Sequence, residues 1–347
     1  MSIVNLRRQN ARGSYPSDLD RQQLRQQEYG FLDLAARSTS GLITQANQET
    51  IWYSWGAPAV QIPVFSKNVV GATVGSMTCA FPVEDALAAL VNVTFVKAYT
   101  GFRVIPRLTD QSGIVDEAQD FMRQYTDAEL SLATYLETQV YNTVDAAVAT
   151  TYNSAFVGAA ARYPLLANAL QVAVAQQPFF FNDAKSIMMA DDFSRSGLTV
   201  IGDAQLPSYV NQYVNQGSGN NQNTAAQFNG FTFGYSRTTT TSAAAVSTGY
   251  VMPEGSLAVI SRVSPDAQFN RSSESGIRWT VEKSELLGGL DMEMMIKDEC
   301  ADMSLVTGNG DDTNTLVRSY QLGINAAIIT PYNTGTNGGI KKFDYLP

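Results

Sequence analysis

Residues 127–156 read DAELSLATYLETQVYNTVDAAVATTYNSAF and form the longest helix-like pattern in the chain. Small and apolar residues recur there at steps of three and four, which is the spacing of one face of an α-helix. These positions are Leu130, Ala133, Leu136, Val140, Val144, Ala147, Val148 and Thr151. Asp127 can cap the start of the helix. At about 1.5 Å per residue the helix is roughly 45 Å long, which predicts a structural strut whose apolar face covers a sheet.

The candidate sheet strands lie on both sides of this helix in the sequence. Residues 90–106, LVNVTFVKAYTGFRVIP, are the clearest strand-like run because they are rich in Val, Phe and Tyr. Residues 279–296 have strand texture around a Gly288-Gly289 turn. Both segments are therefore predicted to pack against the helix.

An extended hairpin is predicted over residues 46–88. Residues 59–65 alternate and contain proline, which suits an edge or extended strand. Residues 69–75 are small, β-branched and glycine-punctuated, as at a hairpin tip, and residues 76–83 are predicted to be the returning strand.

The first 45 residues are predicted to form an arm. Leu24, Phe31, Leu32 and Leu34 give residues 20–37 only a thin apolar stripe. A short helix with such a stripe is marginal alone. We expect it to pack on another part of the protein.

The chain after Pro164 has an α/β texture. Its predicted elements are a helix at 165–177, short buried strands at 186–190 and 198–201, a polar loop at 216–223, strands at 228–236 and 256–260, and a final buried strand at 326–330. A tail rich in Gly, Asn and Thr is predicted after that strand.

The composition points to a protein that contacts other proteins. Only 16% of the 347 residues are charged, against about 25% in a typical soluble domain. The net charge of −9 disfavours tight nucleic-acid binding, which depends on Lys and Arg. No secretory signal opens the chain, and polar residues interrupt the apolar stretch 144–181. These features predict a soluble intracellular protein.

The chain contains no histidine. This excludes Ser-His-Asp and Cys-His catalysis and histidine metal sites. The two cysteines, Cys79 and Cys300, form no CxxC pair. We therefore expect no zinc or iron–sulfur site and interpret both as buried structural thiols in a reducing compartment.

Adjacent carboxylates are the remaining candidates for acid–base chemistry. They occur at Asp116-Glu117, Asp191-Asp192, Asp298-Glu299 and Asp311-Asp312. Catalysis needs two acids across a cleft, whereas neighbours on a strand point to opposite faces. Residues 309–314 lack the spacing and closing glutamate of a calcium loop, and no phosphate-binding glycine motif occurs. We predict no catalytic, cofactor-binding or metal-binding residues and no enzymatic activity.

The sequence allows two interpretations for each of two further groups of residues. Arg7, Arg8 and Arg12 can contact nucleic acid or an acidic protein face, or can simply be solvated. Trp52, Trp55 and the run Phe179-Phe180-Phe181 can be stacking platforms, or core or interface packing. Packing is favoured because no basic residues are interleaved with them.

The order of these parts resembles the major capsid proteins of tailed bacteriophages, which have the HK97-like α+β fold. Residues 59–65 and 77–83 resemble the E-loop of that family, and residues 127–156 resemble the spine helix of its P-domain. Further resemblance lies in the A-domain texture of residues 182–203 and 228–231, and in the closing P-domain and A-domain strands at 289–294 and 320–330.

The resemblance implies a division of the chain and a function. The division is an arm (1–45), an E-loop (46–88), a P-domain (89–163 and 265–300), an A-domain (164–264 and 301–332) and a C-terminal tail (333–347). The implied function is self-assembly, through pentamers and hexamers, into an icosahedral shell that confines double-stranded DNA.

The resemblance also implies partners and a location. Scaffolding, portal and decoration proteins are possible partners, and no membrane is involved. The protein would be assembled in the host cytoplasm and reside in the virion. In the family the A-domain loops gather around the shell axes, so the loop 216–223 is expected there. Some members of the family cross-link a lysine of this hairpin to an asparagine of a neighbouring subunit. Lys67 lies near the predicted hairpin tip, but no partner asparagine can be assigned.

Two alternatives remain open from the sequence. An encapsulin-like compartment would use the same fold to enclose a protein cargo. An unrelated soluble enzyme would need a carboxylate-based pocket within residues 164–264.

Overall fold

The computed structural model describes residues 29–42, 49–51, 53–54, 59–65, 88–105, 117–194, 196–216, 228–284, 286–302, 314–330 and 337–347. In chain order they form α1 (Gly30–Leu42), β1 (Ala59–Phe65), β2 (Ala88–Val104), α2 (Glu117–Ala146), β3 (Leu165–Leu166), β4 (Ala169–Val172), a 3₁₀ turn (Gln177–Phe179), α3 (Phe180–Ala190), β5 (Leu198–Gly202), α4 (Leu206–Gln216), β6 (Phe231–Tyr235), β7 (Ser247–Pro253), β8 (Ala258–Ser261), α5 (Pro265–Gln268), β9 (Ile277–Lys283), β10 (Asp291–Ala301), β11 (Thr315–Ile329) and β12 (Lys341–Tyr345). The predicted α+β class is confirmed.

The first sheet has the strand order β1-β2-β11-β10-β9, with β8 also paired to β11. All of its pairs are antiparallel. The long strand β2 is shared, because its first residues pair with β1 (Phe65 with Ala88, Ala59 with Thr94) and the rest pair with β11. The predicted strands at 59–65 and 90–106 are confirmed. The predicted hairpin tip and the returning strand at 76–83 lie outside the described residues.

Helix α2 packs against this sheet with the predicted apolar stripe. Leu136, Val140 and Val144 are fully buried in the same core as Leu322 of β11. Phe121 contacts Phe102 of β2 at a ring separation of 5.6 Å.

The boundaries of α2 differ from the predicted 127–156. The helix begins at Glu117 because Phe121 and Tyr125 continue the buried stripe toward the N-terminus. It ends at Ala146, and shortly afterwards the backbone N–H of Ala149 donates to the carbonyl of Ile340 at 2.8 Å. This contact with a distant segment replaces the next helical hydrogen bonds.

The second sheet has the order β3-β4-β12-β7-β5-β6. The C-terminal strand β12 is central, parallel to β4 and antiparallel to β7. Phe343 of β12 covers Gly249 of β7, where an added Cβ would lie 2.5 Å from the Phe343 ring. The prediction of a tail at 333–347 is therefore wrong. Two consecutive lysines, Lys341 and Lys342, obscured this strand in the sequence.

The predicted final strand at 326–330 is the end of β11, which lies in the first sheet. Ala326 pairs with Val96 of β2 and with Ser261 of β8. Residues 315–329 thus join the sheet that α2 covers, not the α/β unit to which the sequence assigned them. Strand β8, predicted at 256–260, also lies in the first sheet.

Two predicted elements in the α/β unit have the wrong type. Within the predicted helix 165–177, residues 165–172 form the β3–β4 hairpin, and its turn places Ala167 and Asn168 at positive φ (49° and 63°). Residues 186–190 are the end of α3 instead of a strand. A short apolar run does not distinguish a buried strand from a buried helix. Here Phe180 and Ala184, which lie upstream of the run, and Ile187 within it supply the helical stripe.

Other predictions for this part of the chain are confirmed. Residues 198–201 lie in β5, and residues 231–235 of the predicted 228–236 form β6. The predicted hairpin at 279–296 is the β9–β10 pair, with Gly288 and Gly289 at positive φ (69° and 86°) in its turn.

Helix α1 is packed on the body of the protein, as its thin stripe predicted. Phe31, Leu32 and Ala35 are buried in the core that α2 shares with the first sheet. The Phe31 ring lies 5.6 Å from the Tyr250 ring of β7. This part of the predicted arm is therefore a fixed element, while residues 1–28 lie outside the described residues. No helix in the described ranges is long and apolar enough to span a membrane.

Candidate functional site

Of the adjacent carboxylates that the sequence singled out, Asp298 and Glu299 are engaged in separate ion pairs. Asp298 accepts from Arg278 Nη2 at 3.2 Å and from Arg318 Nε at 2.7 Å. Glu299 binds Lys297 Nζ at 2.6 Å, and this contact holds the pKa of Glu299 below its usual value. The two side chains lie on opposite faces of β10, as strand geometry requires. Asp116 and the Asp311-Asp312 pair lie outside the described residues.

Acidic and thiol side chains are the candidate metal ligands of this histidine-free chain. Within the described ranges, no three Asp, Glu or Cys side chains gather in a way that could hold a metal ion. Cys300 is exposed, so its prediction as a buried thiol is wrong. It pairs with Leu316 near the end of the β10–β11 ribbon, and Leu316 is itself half exposed. Cys79 and Lys67 lie outside the described residues.

The aromatic run at 179–181 is mainly core packing. Phe180 and Phe181 are buried, and the Phe180 ring lies 4.6 Å from Phe343 of β12. Phe179 is half exposed, with the Arg162 guanidinium 5.4 Å from its ring. Trp52, Trp55, Arg7, Arg8 and Arg12 lie outside the described residues.

Glu137 on α2 is a fully buried carboxylate. Its oxygens accept from the backbone N–H groups of Phe31 (3.2 Å) and Leu32 (2.8 Å), and Ser236 Oγ also donates to it. The first N–H groups of a helix have no partner within the helix and favour a negative charge. Glu137 therefore caps α1 from another helix. Burial raises the pKa of Glu137 to about 7, although these hydrogen bonds oppose the rise.

Two more glutamates, the buried Glu129 and the partly buried Glu293, fasten loops to the same core. Glu129 of α2 accepts a hydrogen bond from Ser284 Oγ, and Ser284 Oγ accepts from the backbone N–H of Leu287 at 3.1 Å. This contact holds the turn between β9 and β10. Glu293 of β10 accepts from the backbone N–H of Ser264, the residue that caps α5. Burial raises the pKa of Glu293.

The second sheet is organised around Asp203, which follows β5. Its Oδ1 accepts from the backbone N–H of Leu206 at 3.1 Å, at the start of α4. Its Oδ2 accepts from the backbone N–H of Thr248 (3.0 Å) and from Thr241 Oγ1 (2.7 Å). Asp344 of β12 continues this network by accepting from Thr248 Oγ1 at 2.6 Å. The irregular segment before β7 is therefore held by two carboxylates.

The remaining internal charges join distant segments. Lys341 of β12 forms an ion pair with Asp191 at the end of α3, and the two side chains are 3% and 0% exposed. Arg262, which follows β8, is buried and donates to the backbone carbonyl of Ser54 at 2.7 Å. Its guanidinium also lies 3.5 Å from the centre of the Phe95 ring. Arg262 thus ties the residues that precede β1 to the first sheet.

Sequence analysis did not identify these buried charges. Glu129 and Glu137 occur within the apolar stripe of α2, and a charge on an apolar stripe is a signal that the sequence offers. Asp203 follows a buried strand and precedes a helix, which is a typical capping position. No local signal indicates that Lys341 or Arg262 is buried.

The open face of the first sheet lies opposite α2. Alternate residues of β2, namely Lys97, Tyr99, Gly101 and Arg103, are exposed there, and Tyr99 is 75% exposed. This face therefore carries charged side chains, an aromatic ring and, at Gly101, backbone that no side chain covers.

Comparisons with known proteins gave matches only among solved structures. No protein-family model matches the chain, and no curated protein matches it. A structure from Mycobacterium phage Che8 matches with 10% identity and a TM-score of 0.46, over 88% of this chain and 89% of that chain. The capsid of cyanophage P-SCSP1u matches with 9% identity and a TM-score of 0.44, over 83% and 84%. The capsid of Ralstonia phage GP4 matches with 10% identity and a TM-score of 0.44, over 84% of each chain. These three structures come from bacteriophages.

Proposed function

We propose that this chain is the major capsid protein of a tailed bacteriophage, with an HK97-like fold and a structural role. The observation that carries the proposal is the shared strand β2. One half of β2 belongs to the sheet that the 30-residue α2 covers, and the other half pairs with β1. A long helix on a sheet, an extended hairpin and a separate α/β unit are the parts that the sequence resemblance implies.

The internal charges of the chain support a structural role. Each buried carboxylate described above joins segments that are far apart in sequence, such as α1, α2 and the end of β6 at Glu137. Their partners are mainly backbone N–H groups, hydroxyls or a lysine, which fix positions. The low overall charge of the chain, 16%, leaves neutral surface for contacts with other copies.

The proposed division of the chain follows the two sheets. The P-domain comprises α2 with the first sheet, including β11, and the A-domain comprises the second sheet, including β12. Residues 46–88 form the E-loop, and residues 1–45 form the arm, of which α1 is the docked part. These assignments replace the tail and the A-domain strand that the sequence suggested.

The proposed partners are other copies of this chain. Pentamers and hexamers would build an icosahedral shell in the host cytoplasm, and the protein would then reside in the virion around double-stranded DNA. With a net charge of −9, the chain would confine DNA without gripping it. Scaffolding, portal and decoration proteins would complete the particle, and the loop 216–223 would lie near the shell axes.

Electron microscopy of the expressed chain tests the proposal. Uniform icosahedral shells in negative stain support it, and monodisperse small particles contradict it. The genes beside this one separate two kinds of shell: terminase and portal genes accompany a capsid, whereas an enzyme-cargo gene accompanies an encapsulin-like compartment. A cryo-reconstruction then tests whether the loop 216–223 lies near the symmetry axes.

A further inference from the structure

Three segments of the chain meet at the Glu137 carboxylate. Helix α1 presents the N–H groups of Phe31 and Leu32, and the end of β6 presents the Ser236 hydroxyl. Ser236 Oγ also lies 2.8 Å from Thr238 Oγ1. Glu137 is completely inaccessible to solvent. Its protonation state therefore changes the hydrogen bonds that hold α1 in place.

Charged groups lie on each of the elements around Glu137. On α1, Asp33 raises the pKa of Glu137 through its negative charge, and Asp33 is itself paired with Arg37 at 2.7 Å. On the β6 side, Arg237 follows Ser236 and is exposed. On α2, the acidic residue Asp145 binds Lys342 at 2.8 Å. The direct partners of the Glu137 carboxylate are neutral N–H and O–H groups.

We propose that docking of α1 is coupled to proton binding at Glu137. The docked helix excludes water from this carboxylate, whereas a detached α1 exposes it. The neutral carboxyl is therefore favoured when α1 is docked, and the ionised form is favoured when α1 is detached.

The geometry accommodates the neutral form. A proton on Oε1 can be donated to Ser236 Oγ, which then directs its own hydrogen to Thr238 Oγ1. Oε2 still accepts from the backbone N–H of Leu32. When the proton is lost, Oε1 again accepts from the backbone N–H of Phe31. The carboxylate then carries a negative charge that solvent does not reach. Both protonation states of Glu137 therefore keep α1 capped. They differ in the strength of this cap.

The direction of the pH dependence follows from linkage. The pKa of Glu137 is about 7 in the docked state, and an exposed glutamate titrates near about 4.3. The docked state therefore binds the proton more tightly. The proton's contribution to docking is fully present below the pKa that Glu137 has when α1 is detached. It falls as pH rises and is lost above about pH 7.

Amide hydrogen exchange of the isolated full-length chain tests this coupling. Exchange in peptides covering 30–42 is compared at about pH 5 and about pH 8, after correction for intrinsic rates, and opening of α1 is expected to increase by up to about two orders of magnitude. Glu137→Gln, which resembles the protonated form, should abolish this increase. Glu129→Gln is the matched control, because Glu129 is a buried glutamate of the same helix that holds a different loop, and it should leave the increase intact.

The outcomes separate the proposal from a merely structural role of Glu137. Equal corrected exchange of α1 at both pH values in the parent protein overturns it, as does an unchanged pH dependence in Glu137→Gln. If Glu137→Gln does not fold, Ser236→Ala serves instead. It removes a hydrogen bond that lowers the pKa of Glu137, so the midpoint of the transition must move to higher pH. An unmoved midpoint contradicts the coupling. The measurement uses unassembled protein, so it does not depend on the proposed shell.

Discussion

Lys341 and Asp191 form an ion pair that solvent does not reach. The carboxylate is further fixed because Asp191 Oδ1 accepts from the backbone N–H of Asn153 at 2.8 Å. The Lys341 ammonium also lies 4.3 Å from the centre of the Tyr152 ring. These contacts place an ion pair where β12, the end of α3 and the chain after α2 meet. At the scale of single residues, charge is what joins these segments.

Replacing Lys341 by methionine leaves the Asp191 carboxylate buried without its cation. Removing one partner of a buried ion pair costs about 3–5 kcal/mol, so Lys341→Met should lower the free energy of unfolding by this amount in urea denaturation. Lys342→Met is the matched control. Lys342 pairs with Asp145, whose side chain is 42% exposed, so its loss should cost at most about 1 kcal/mol. Equal effects of the two variants would contradict the assignment.

At the scale of elements, α2 is defined by the contrast between its two faces. Leu132, Leu136, Val140 and Val144 are buried, while Ser131, Thr134 and Tyr135 are exposed. The apolar face meets β2 and β11, and one long helix thereby covers the central strands of the first sheet. The helix is a support for that sheet.

An acidic residue on the buried face of α2 should prevent folding. Leu136→Asp places an unpaired charge in the core, which costs several kcal/mol or forces protonation. We expect insoluble protein on expression. Tyr135→Asp, one position along the helix on the exposed face, is the control and should remain soluble. A soluble Leu136→Asp protein that assembles normally would place this face outward.

Strand β12 completes the second sheet from the end of the chain. Truncation after residue 336 removes the strand between β4 and β7, together with Phe343 and Tyr345 of the second core. We expect the α/β unit to lose its protection, measured as rapid proteolysis within residues 164–264. Deletion of Pro347 alone is the control and should have no effect. A protease-resistant unit after the longer truncation would show that β12 is dispensable.

At the scale of the whole molecule, β2 connects two different parts. Its residues 95–104 pair within the sheet under α2, and residues 88–94 pair with β1. In the proposed function, the body of the subunit and its contact with a neighbour are then linked through one continuous strand. An extended segment can add backbone hydrogen bonds to another chain by edge pairing.

Deleting residues 69–75 should separate folding from assembly. In the sequence these residues stand between β1, which ends at Phe65, and β2, which begins at Ala88, so the deletion protein retains every strand and helix of the described cores. We expect an unchanged circular dichroism spectrum and thermal midpoint, with no shells in negative stain. The parent protein under the same conditions is the control. Normal shells from the deletion protein would show that assembly does not need the hairpin tip.

Part of the candidate site was accessible from the sequence, and part was not. The carboxylates at 298 and 299 were correctly expected to point apart, because strand geometry is local. Glu137 stands on the helix stripe, yet its role depends on α1, which is about a hundred positions away in sequence. The type of a short apolar run, such as residues 186–190, was likewise undetermined, because a strand and a helix bury such a run equally well.

The sequence by itself determined the elements whose patterns are long and periodic. These are α2, the strand β2 and the β9–β10 hairpin, because repeated apolar spacing leaves few ways to bury one face. Only the tertiary structure decided that β12 is a central strand and that Lys341, Arg262 and Glu137 are buried. The physical reason is that a charged residue enters a core only when a distant segment supplies its partner. Asp191 is 150 positions from Lys341, and no local pattern records that pairing.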